Sequence, residues 1–369
     1  MSTIAIDATY AVDPQPSGVA IYSRKLIETL ADLPTRHRFL LCYRLSRFPQ
    51  RRSFLRPIAS KPGAGPTFAT RYYQGYLTYW LPREAEVFHS LAQRPPAHRF
   101  RKEIVTVFDI FPITGSDYST PDFRRKFSAL LRRAVDRAAR VITSSRATES
   151  QLIAHAGVAP EKIRVIPLGV DPPRLVLSPE ERRKAREELV GPGSEMLLSV
   201  GVLQARKNTL NMLKALQALP PKYRLVLSGG DGHGSQAIYD FIRDQRLEDR
   251  VRLLGYVEPN RLTILYQAAS AFLFPSLEEG FGLPILEAMA SGVPVVTSGV
   301  SSMPEVGGDA ALYVNPQDAN EIAQKITQAT EASALREQLI SKGLARAREF
   351  TWRVMAERTV EVYDEVLAL

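Results

Sequence analysis

Short apolar runs separated by amphipathic stretches recur along the whole chain. In the front half, Thr3-Ile-Ala-Ile6, Phe39-Leu-Leu-Cys42, Val87-Phe-His89, Ile104-Val-Thr-Val107, Arg140-Val-Ile-Thr143 and Ile163-Arg-Val-Ile166 have the length and apolar content of buried strands. Between several of them apolar residues recur at helical spacing, as from Val19 to Leu30 and from Asp122 to Ala138. Such alternation implies right-handed crossovers and a parallel sheet covered by helices.

Pro167-Leu-Gly-Val-Asp-Pro-Pro173 interrupts the series with three prolines and a glycine, and reads as a linker. Ser178-Pro-Glu-Glu181 then supplies a hydroxyl, a proline at the first helical position and a glutamate three residues on, a capping-box start for a helix through Leu189. A second series follows: Met196-Leu-Leu-Ser-Val200, Arg224-Leu-Val-Leu-Ser228, Val251-Arg-Leu-Leu254, Ala271-Phe-Leu-Phe274, Val293-Pro-Val-Val296 and Ala311-Leu-Tyr-Val314. The expected fold class is therefore α/β, with two doubly wound, Rossmann-like domains facing a cleft. The expected boundaries are an N-terminal domain over 1–170, a linker and helix over 171–192, and a C-terminal domain over 193–350. A helix over 351–369, with Met355, Val362, Val366 and Leu369 at helical spacing, is expected to dock back on the N-terminal domain.

A chain of 369 residues is long for a single core, which agrees with two domains. Apolar runs stop at strand length, so neither a membrane span nor an export signal is expected. The single cysteine, Cys42, excludes an internal disulfide and lies in an apolar run as a core residue would. A cytoplasmic location follows as an expectation. The net charge of +9 is uneven: residues 1–175 hold 27 Lys and Arg against 14 Asp and Glu, whereas the remainder is net −4. A basic front half would attract nucleic acid, anionic lipid or an anionic substrate. No nucleic-acid motif is present. Arg71-Tyr-Tyr-Gln-Gly-Tyr-Leu-Thr-Tyr-Trp-Leu81 suits either the interface of an anionic membrane surface or a core helix with tyrosines at its edge.

The most informative stretch is Glu279-Gly-Phe-Gly-Leu-Pro-Ile-Leu-Glu287. Gly280 and Gly282 can take positive φ and leave the main-chain N–H groups uncovered, and Pro284 suits the first turn of a helix. Glu287 is expected in that first turn, where the helix dipole favours its charge. A lone pattern of this kind is equally a strand, tight loop and helix with two solvated glutamates. Here it follows the apolar strand Ala271-Phe-Leu-Phe-Pro-Ser276, and open parallel sheets bind ligands at the carboxyl ends of their strands.

Three further segments occupy comparable places. Gly18 lies where the first loop becomes a helix, so main-chain donors could approach a phosphate. Gly201-Val-Leu-Gln-Ala-Arg-Lys-Asn208 brings Arg206 and Lys207 to the end of the first strand of the back half, where a diphosphate would need cations. Ser228-Gly-Gly-Asp-Gly-His-Gly234 admits close backbone approach to a ligand or to the facing domain, but no Gly-Lys-Ser/Thr follows, so it is not a phosphate loop. The sequence has no Asp-x-Asp pair, no His/Cys cluster with zinc spacing and no nucleophile elbow. No metal site is expected, and protein cations and helix N-termini would stabilise a diphosphate leaving group.

The Glu279 to Glu287 stretch resembles the paired-glutamate motif of retaining GT-B glycosyltransferases, specifically glycosyltransferase family 4 and its mannosyl-transferring members. The likeness extends to the Gly18 loop, Val107-Phe-Asp-Ile-Phe-Pro112, Val141-Ile-Thr-Ser-Ser145, Val165-Ile-Pro-Leu-Gly-Val-Asp171, Gly201 with Arg206-Lys-Asn208, Leu254-Gly-Tyr-Val257, and Phe350-Thr-Trp352 with its closing helix. The resemblance implies a GT-B architecture and transfer of a hexose, mannose for the members most alike, from a nucleotide sugar with retention of configuration. It implies a saccharide or lipid-linked saccharide acceptor, and neither metal nor cofactor.

The same resemblance implies that Glu287 bonds the donor ribose, and that Glu279 with the N–H groups of Phe281, Gly282 and Leu283 holds the transferred sugar. Gly280 belongs to that loop. Arg206 and Lys207 would neutralise the diphosphate with help from the Gly18 loop, and main chain near Val257 would contact the base. Front-face substitution and double displacement both stay open, and for the second Asp109 or Glu279 would be the carboxylate beneath the anomeric carbon. GDP-mannose is the favoured donor. Two positions depart from the family pattern, Phe108 where members commonly carry histidine and Val202 where many carry arginine. Competing readings are a nucleotide-sugar epimerase or phosphorylase, and a non-catalytic basic protein that binds a membrane surface.

Overall fold

The computed structural model describes residues 2–13, 17–49, 54, 68–72 and 80–369. They form two compact units, one of Met1–Thr114, Pro121–Gly169 and Thr351–Leu369, the other of Gly115–Thr120 and Val170–Phe350. Each unit is an open, wholly parallel sheet with helical crossovers.

In the first unit the strands are β1 (Thr3–Asp7), β2 (Arg38–Tyr43), β3 (Phe68–Tyr72), β4 (Val87–Ser90), β5 (Lys102–Thr106), β6 (Arg140–Thr143) and β7 (Ile163–Val165), in the order β3-β2-β1-β4-β5-β6-β7. Ile4, Ala5 and Ile6 of β1 are fully buried because helices cover both faces of a parallel sheet. The Gly18–Leu30 helix seats Leu26, Ile27 and Leu30 on that sheet, each worth about 2 kcal/mol in apolar area removed from water. The Pro121–Arg137 helix buries Phe127, Leu131, Ala134 and Val135 and leaves Arg125, Arg132 and Arg133 outward, whereas Arg137 turns in to pair with Glu103.

β3 has no counterpart among the strands expected from the pattern. It pairs with β2 in the register Phe39↔Phe68 and Leu41↔Thr70, and the two phenylalanine rings stack with centres 5.5 Å apart. An edge strand reading Phe-Ala-Thr-Arg-Tyr, paired on one side only, lacks the continuous apolar run that marks a central strand. Arg71 and Tyr72 thus end a strand, which corrects the helical reading of this stretch at its start. The rest of the aromatic stretch, 73–79, lies outside the described residues.

The Trp352–Ala368 helix belongs to this unit. Thr351 caps it, and Met355, Ala356, Val362, Tyr363 and Val366 are buried. Glu365 of this helix is clamped by Arg140 of β6 at 2.6 Å and by Arg164 of β7.

In the second unit the strands are β8 (Glu195–Val200), β9 (Tyr223–Ser228), β10 (Val251–Leu253), β11 (Ala271–Phe274), β12 (Val295–Ser298) and β13 (Ala311–Val314), ordered β10-β9-β8-β11-β12-β13. The capping box at Ser178 forms in full: Glu181 N–H donates to Ser178 Oγ at 3.2 Å, and Ser178 N–H donates to Glu181 Oε2 at 2.7 Å. β12 begins at Val295, two residues later than the apolar run suggests. Pro294 has no N–H for the ladder, although its carbonyl accepts from Phe272 N at 2.9 Å. In both sheets the strand order reverses once, between β1 and β4 and between β8 and β11. At such a reversal the loops leave toward opposite faces and open a crevice at the carboxyl ends.

Candidate active site

The loops after β8 and β11 carry the chemistry of the second unit. They are joined along the backbone, Leu277 N–H donating to Arg206 O at 2.8 Å. Asn208 ties them further: in a left-handed conformation (φ 61°) it donates through Nδ2 to Pro275 O at 2.8 Å and Pro316 O at 2.6 Å.

That scaffold brings together Arg206, Lys207 and Glu279. Arg206 Nη1 stands 2.8 Å from Glu279 Oε2 and also donates to Glu278 O at 2.9 Å. Lys207 Nζ stands 2.6 Å from Glu279 Oε1, with the Phe274 ring centre 4.5 Å away. The side chains are only 8 to 14% exposed. Burial alone would raise the Glu279 carboxyl, but the two cations override it and hold the pKa at about 2. The triad therefore carries net positive charge at a strand-end crevice. It suits a polyanion, and both cations already engage Glu279 rather than standing apart from it.

Of the two loop glycines, only Gly282 takes positive φ, at 110°, which corrects the expectation for Gly280. Gly282 is the N-cap of the Leu283–Ala290 helix and has no side chain to cap its first N–H groups. Phe281 is buried edge-on against Phe350, and Leu283 is buried as well. Glu287 stands in the second turn, not the first, so the dipole argument from the sequence does not apply to it. Its Oε2 instead accepts from Tyr266 OH at 2.7 Å. Burial raises the Glu287 pKa, the tyrosine hydrogen bond opposes that shift, and Asp171 adds to it.

Val257 is buried between β10 and the Pro259–Ala268 helix. In the glycine-rich loop, a β-carbon on Gly229 would lie 2.0 Å from Gly201 O. The close approach made by that glycine is to the neighbouring strand-end loop of its own sheet. Val202 is exposed at the next position.

Gly18 and Asp109 belong to the first unit. Gly18 opens its helix, and Ser17 at the N-cap makes no side-chain capping bond. Asp109 follows Phe108, whose ring meets Tyr22 edge-on at 4.9 Å and whose carbonyl accepts from Thr148 Oγ1 at 3.0 Å. Beneath them runs a buried polar chain: Tyr22 OH meets Thr106 Oγ1 at 3.3 Å, which meets His89 Nε2 at 2.9 Å, while His89 Nδ1 meets Tyr363 OH at 2.8 Å. Asn208, Tyr266, Ser301 and Ser302 build the site without being singled out for it by the sequence pattern. Asn208 alone carries a local signal, as an asparagine directly before a helix.

Residues 180–346 match the family model described as glycosyl transferases group 1, and residues 16–174 match glycosyltransferase family 4. The O-antigen chain mannosyltransferase B of Escherichia coli is 34% identical over 270 residues, which cover 72% of this chain and 71% of that protein. The chain belongs to glycosyltransferase family 4. This glycosyltransferase is also 33% identical over 220 residues to the O-antigen chain mannosyltransferase RfbU of Salmonella typhimurium, 59% of this chain and 58% of that one. Among solved structures, HepE of Anabaena in complex with UDP and glucose superposes with a TM-score of 0.76 at 20% identity, covering 99% of this chain and all of that one. The two Rossmann-like sheets are those of the GT-B class.

Proposed function

We propose that this glycosyltransferase moves mannose from GDP-mannose to a saccharide or lipid-linked saccharide acceptor, with retention and without a required metal. The observation that carries the reading is the buried Arg206–Glu279–Lys207 cluster at the strand-order reversal of the second sheet. Two mannosyltransferase relatives above 30% identity support the sugar and a surface-polysaccharide acceptor. In the proposed site Arg206 and Lys207 meet the donor diphosphate, Glu279 and the N–H groups of Phe281, Gly282 and Leu283 hold the mannose, Glu287 bonds the ribose, and main chain near Val257 meets the base.

In the proposed reaction the acceptor oxygen attacks the anomeric carbon from the face the diphosphate leaves. The bond from that carbon to the diphosphate oxygen breaks, and the acceptor proton passes to the departing oxygen. Glu279 is a weak nucleophile for a double displacement because Arg206 and Lys207 hold its carboxylate. Donor turnover tests the reading: Glu279→Ala, Lys207→Ala and Glu287→Ala should each lose more than about tenfold, or about 1.4 kcal/mol, and smaller losses in all three would overturn it. Thermal shift with GDP against UDP reads the base, since stabilisation follows ligand concentration over affinity.

Peripheral contact with anionic lipid is proposed as part of the same function. The Pro121–Arg137 helix exposes Phe123 and Leu130 beside Lys126 and Arg133, and with Arg124, Arg125 and Arg132 lines a surface hollow of about 780 Å³. Flotation with vesicles containing phosphatidylglycerol should capture the protein at low salt and release it at high salt. Failure to float at low salt would remove this contact.

A further inference from the structure

The loop between Glu279 and Gly282 owes its shape to two hydroxyls from another strand end. Ser301 and Ser302 follow β12, next in the sheet to β11. Ser301 Oγ accepts from Glu279 N–H at 3.2 Å and donates to Glu279 O at 2.8 Å, so one hydroxyl grips both main-chain groups of that residue. Ser302 Oγ lies 2.9 Å from Glu279 O and 2.7 Å from Phe281 O, and its single proton serves either carbonyl. Ser302 is fully buried, and Ser301 is held at φ 56°, a conformation that non-glycine residues seldom adopt. That strain persists only where surrounding bonds fix it.

The consequence follows from peptide geometry. No peptide bond among the described residues is cis, and in a trans peptide the N–H points opposite to the C=O it shares a plane with. Drawing the Glu279 and Phe281 carbonyls onto the serines turns the Gly280 and Gly282 N–H groups the other way. Those donors flank Phe281 and lead into the uncapped start of the Leu283–Ala290 helix. We propose that Ser301 and Ser302 are positioning residues that set the Glu279 main chain and aim the donors leading into the Leu283–Ala290 helix, the Gly282 N–H first among them, at the sugar of the donor. The inference rests on the proposed reading of Glu279 and its loop as the sugar clamp.

Ser301→Gly removes the hydroxyl while suiting the positive φ, and Ser302→Ala removes the second hydroxyl with little change of volume. The expected result is a fall in kcat of about tenfold or more in each, weaker binding of GDP-mannose, and GDP affinity within about twofold of wild type, because only the sugar-bearing ligand uses the aimed donors. Ser302→Thr, which keeps the hydroxyl, should recover turnover to within about threefold of wild type. If the thermal-shift comparison selects UDP, the same ratio is measured with UDP-glucose and UDP. Turnover within about twofold of wild type in both deletions, or equal weakening of nucleotide and nucleotide sugar, would overturn the assignment while Glu279→Ala and Lys207→Ala remain inactive. Full turnover in those two controls would instead overturn the reading of the site itself.

Discussion

Lys207 Nζ stands 2.6 Å from Glu279 Oε1 while Arg206 Nη1 stands 2.8 Å from Oε2, so one buried carboxylate holds two buried cations together. Removing its charge leaves those cations facing each other in a poorly solvated place. Replacing one member of a buried ionic group typically costs about 3–5 kcal/mol.

Glu279→Gln should therefore destabilise the protein by about 3 kcal/mol at neutral pH in urea denaturation, and the effect has a definite pH window. Burial opposes ionisation, but the cations win and set the folded pKa at about 2 against an ordinary 4.5. A depressed acid contributes stability that is complete above 4.5 and is lost as the pH falls toward 2. The gap between wild type and Glu279→Gln should close over that interval. A gap that stays constant would show that the carboxylate charge is not what holds the cluster.

Much of this arrangement is legible in the chain because it depends on local pattern. Every central strand, the Ser178 capping box and the pairing of two cations with a glycine loop follow from apolar runs and turn chemistry. β3 escapes this pattern because an edge strand needs no continuous apolar run, and Glu287 falls in the second turn because the helix already begins at Leu283, one residue ahead of Pro284. Tyr266, Ser301 and Ser302 were invisible for a different reason. Tyr266 is 21 residues from its partner Glu287, and the serines lie 22 and 23 residues beyond Glu279, so only the parallel register of β11 and β12 defines the serine contacts.

Tyr266→Phe should act on the nucleotide end of the site. The phenol donates to Glu287 Oε2 at 2.7 Å and counteracts the upward pull of burial on that carboxyl. Without it the Glu287 pKa rises further, so the ionised form that would accept ribose hydroxyls is lost at a higher pH as the solution is acidified. Nucleotide affinity should fall about fivefold at neutral pH, about 1 kcal/mol, and decline on acidification earlier than in wild type. Titration calorimetry with GDP across pH checks both. An unchanged pH profile would show that Tyr266 does not tune Glu287.

His89 should make the first unit sensitive to mild acid. Burial lowers its pKa from 6.5 to about 3, and the neutral ring spans Thr106 and Tyr363. The unfolded chain takes up a proton below 6.5 that the folded chain refuses until about 3, so stability falls as the pH drops through that range. The full effect is up to about 5 kcal/mol, and about 2 kcal/mol of it should be visible between pH 7 and 5. His89→Gln removes the titrating group, so its stability should change less over the same two pH values. Tyr363→Phe should cost about 1 kcal/mol at pH 7 and leave the acid slope in place. Hydrogen exchange in the Trp352–Ala368 helix gives the local readout.

Asn208 ties three strand ends, those of β8, β11 and β13, through the Pro275 and Pro316 carbonyls, and it does so from a left-handed backbone conformation. Two separate costs can be distinguished at this position. Asn208→Gly accepts the conformation and deletes the side-chain bonds, leaving Pro275 O without its side-chain donor while Pro316 O keeps Asn211 Nδ2 at 3.0 Å, which should cost about 2 kcal/mol. Asn208→Ala deletes the same bonds and adds roughly 1 kcal/mol of left-handed strain, so it should be the less stable of the two. Because Arg206 and Lys207 lie in the turn directly before Asn208, both substitutions should also lower turnover, and by similar factors. Equal stability of the glycine and alanine variants would show that the backbone relaxes out of the left-handed region once the side chain is gone. Normal turnover in either would show that the Leu277 N–H to Arg206 O bond and the pairs to Glu279 keep the two cations in place without Asn208.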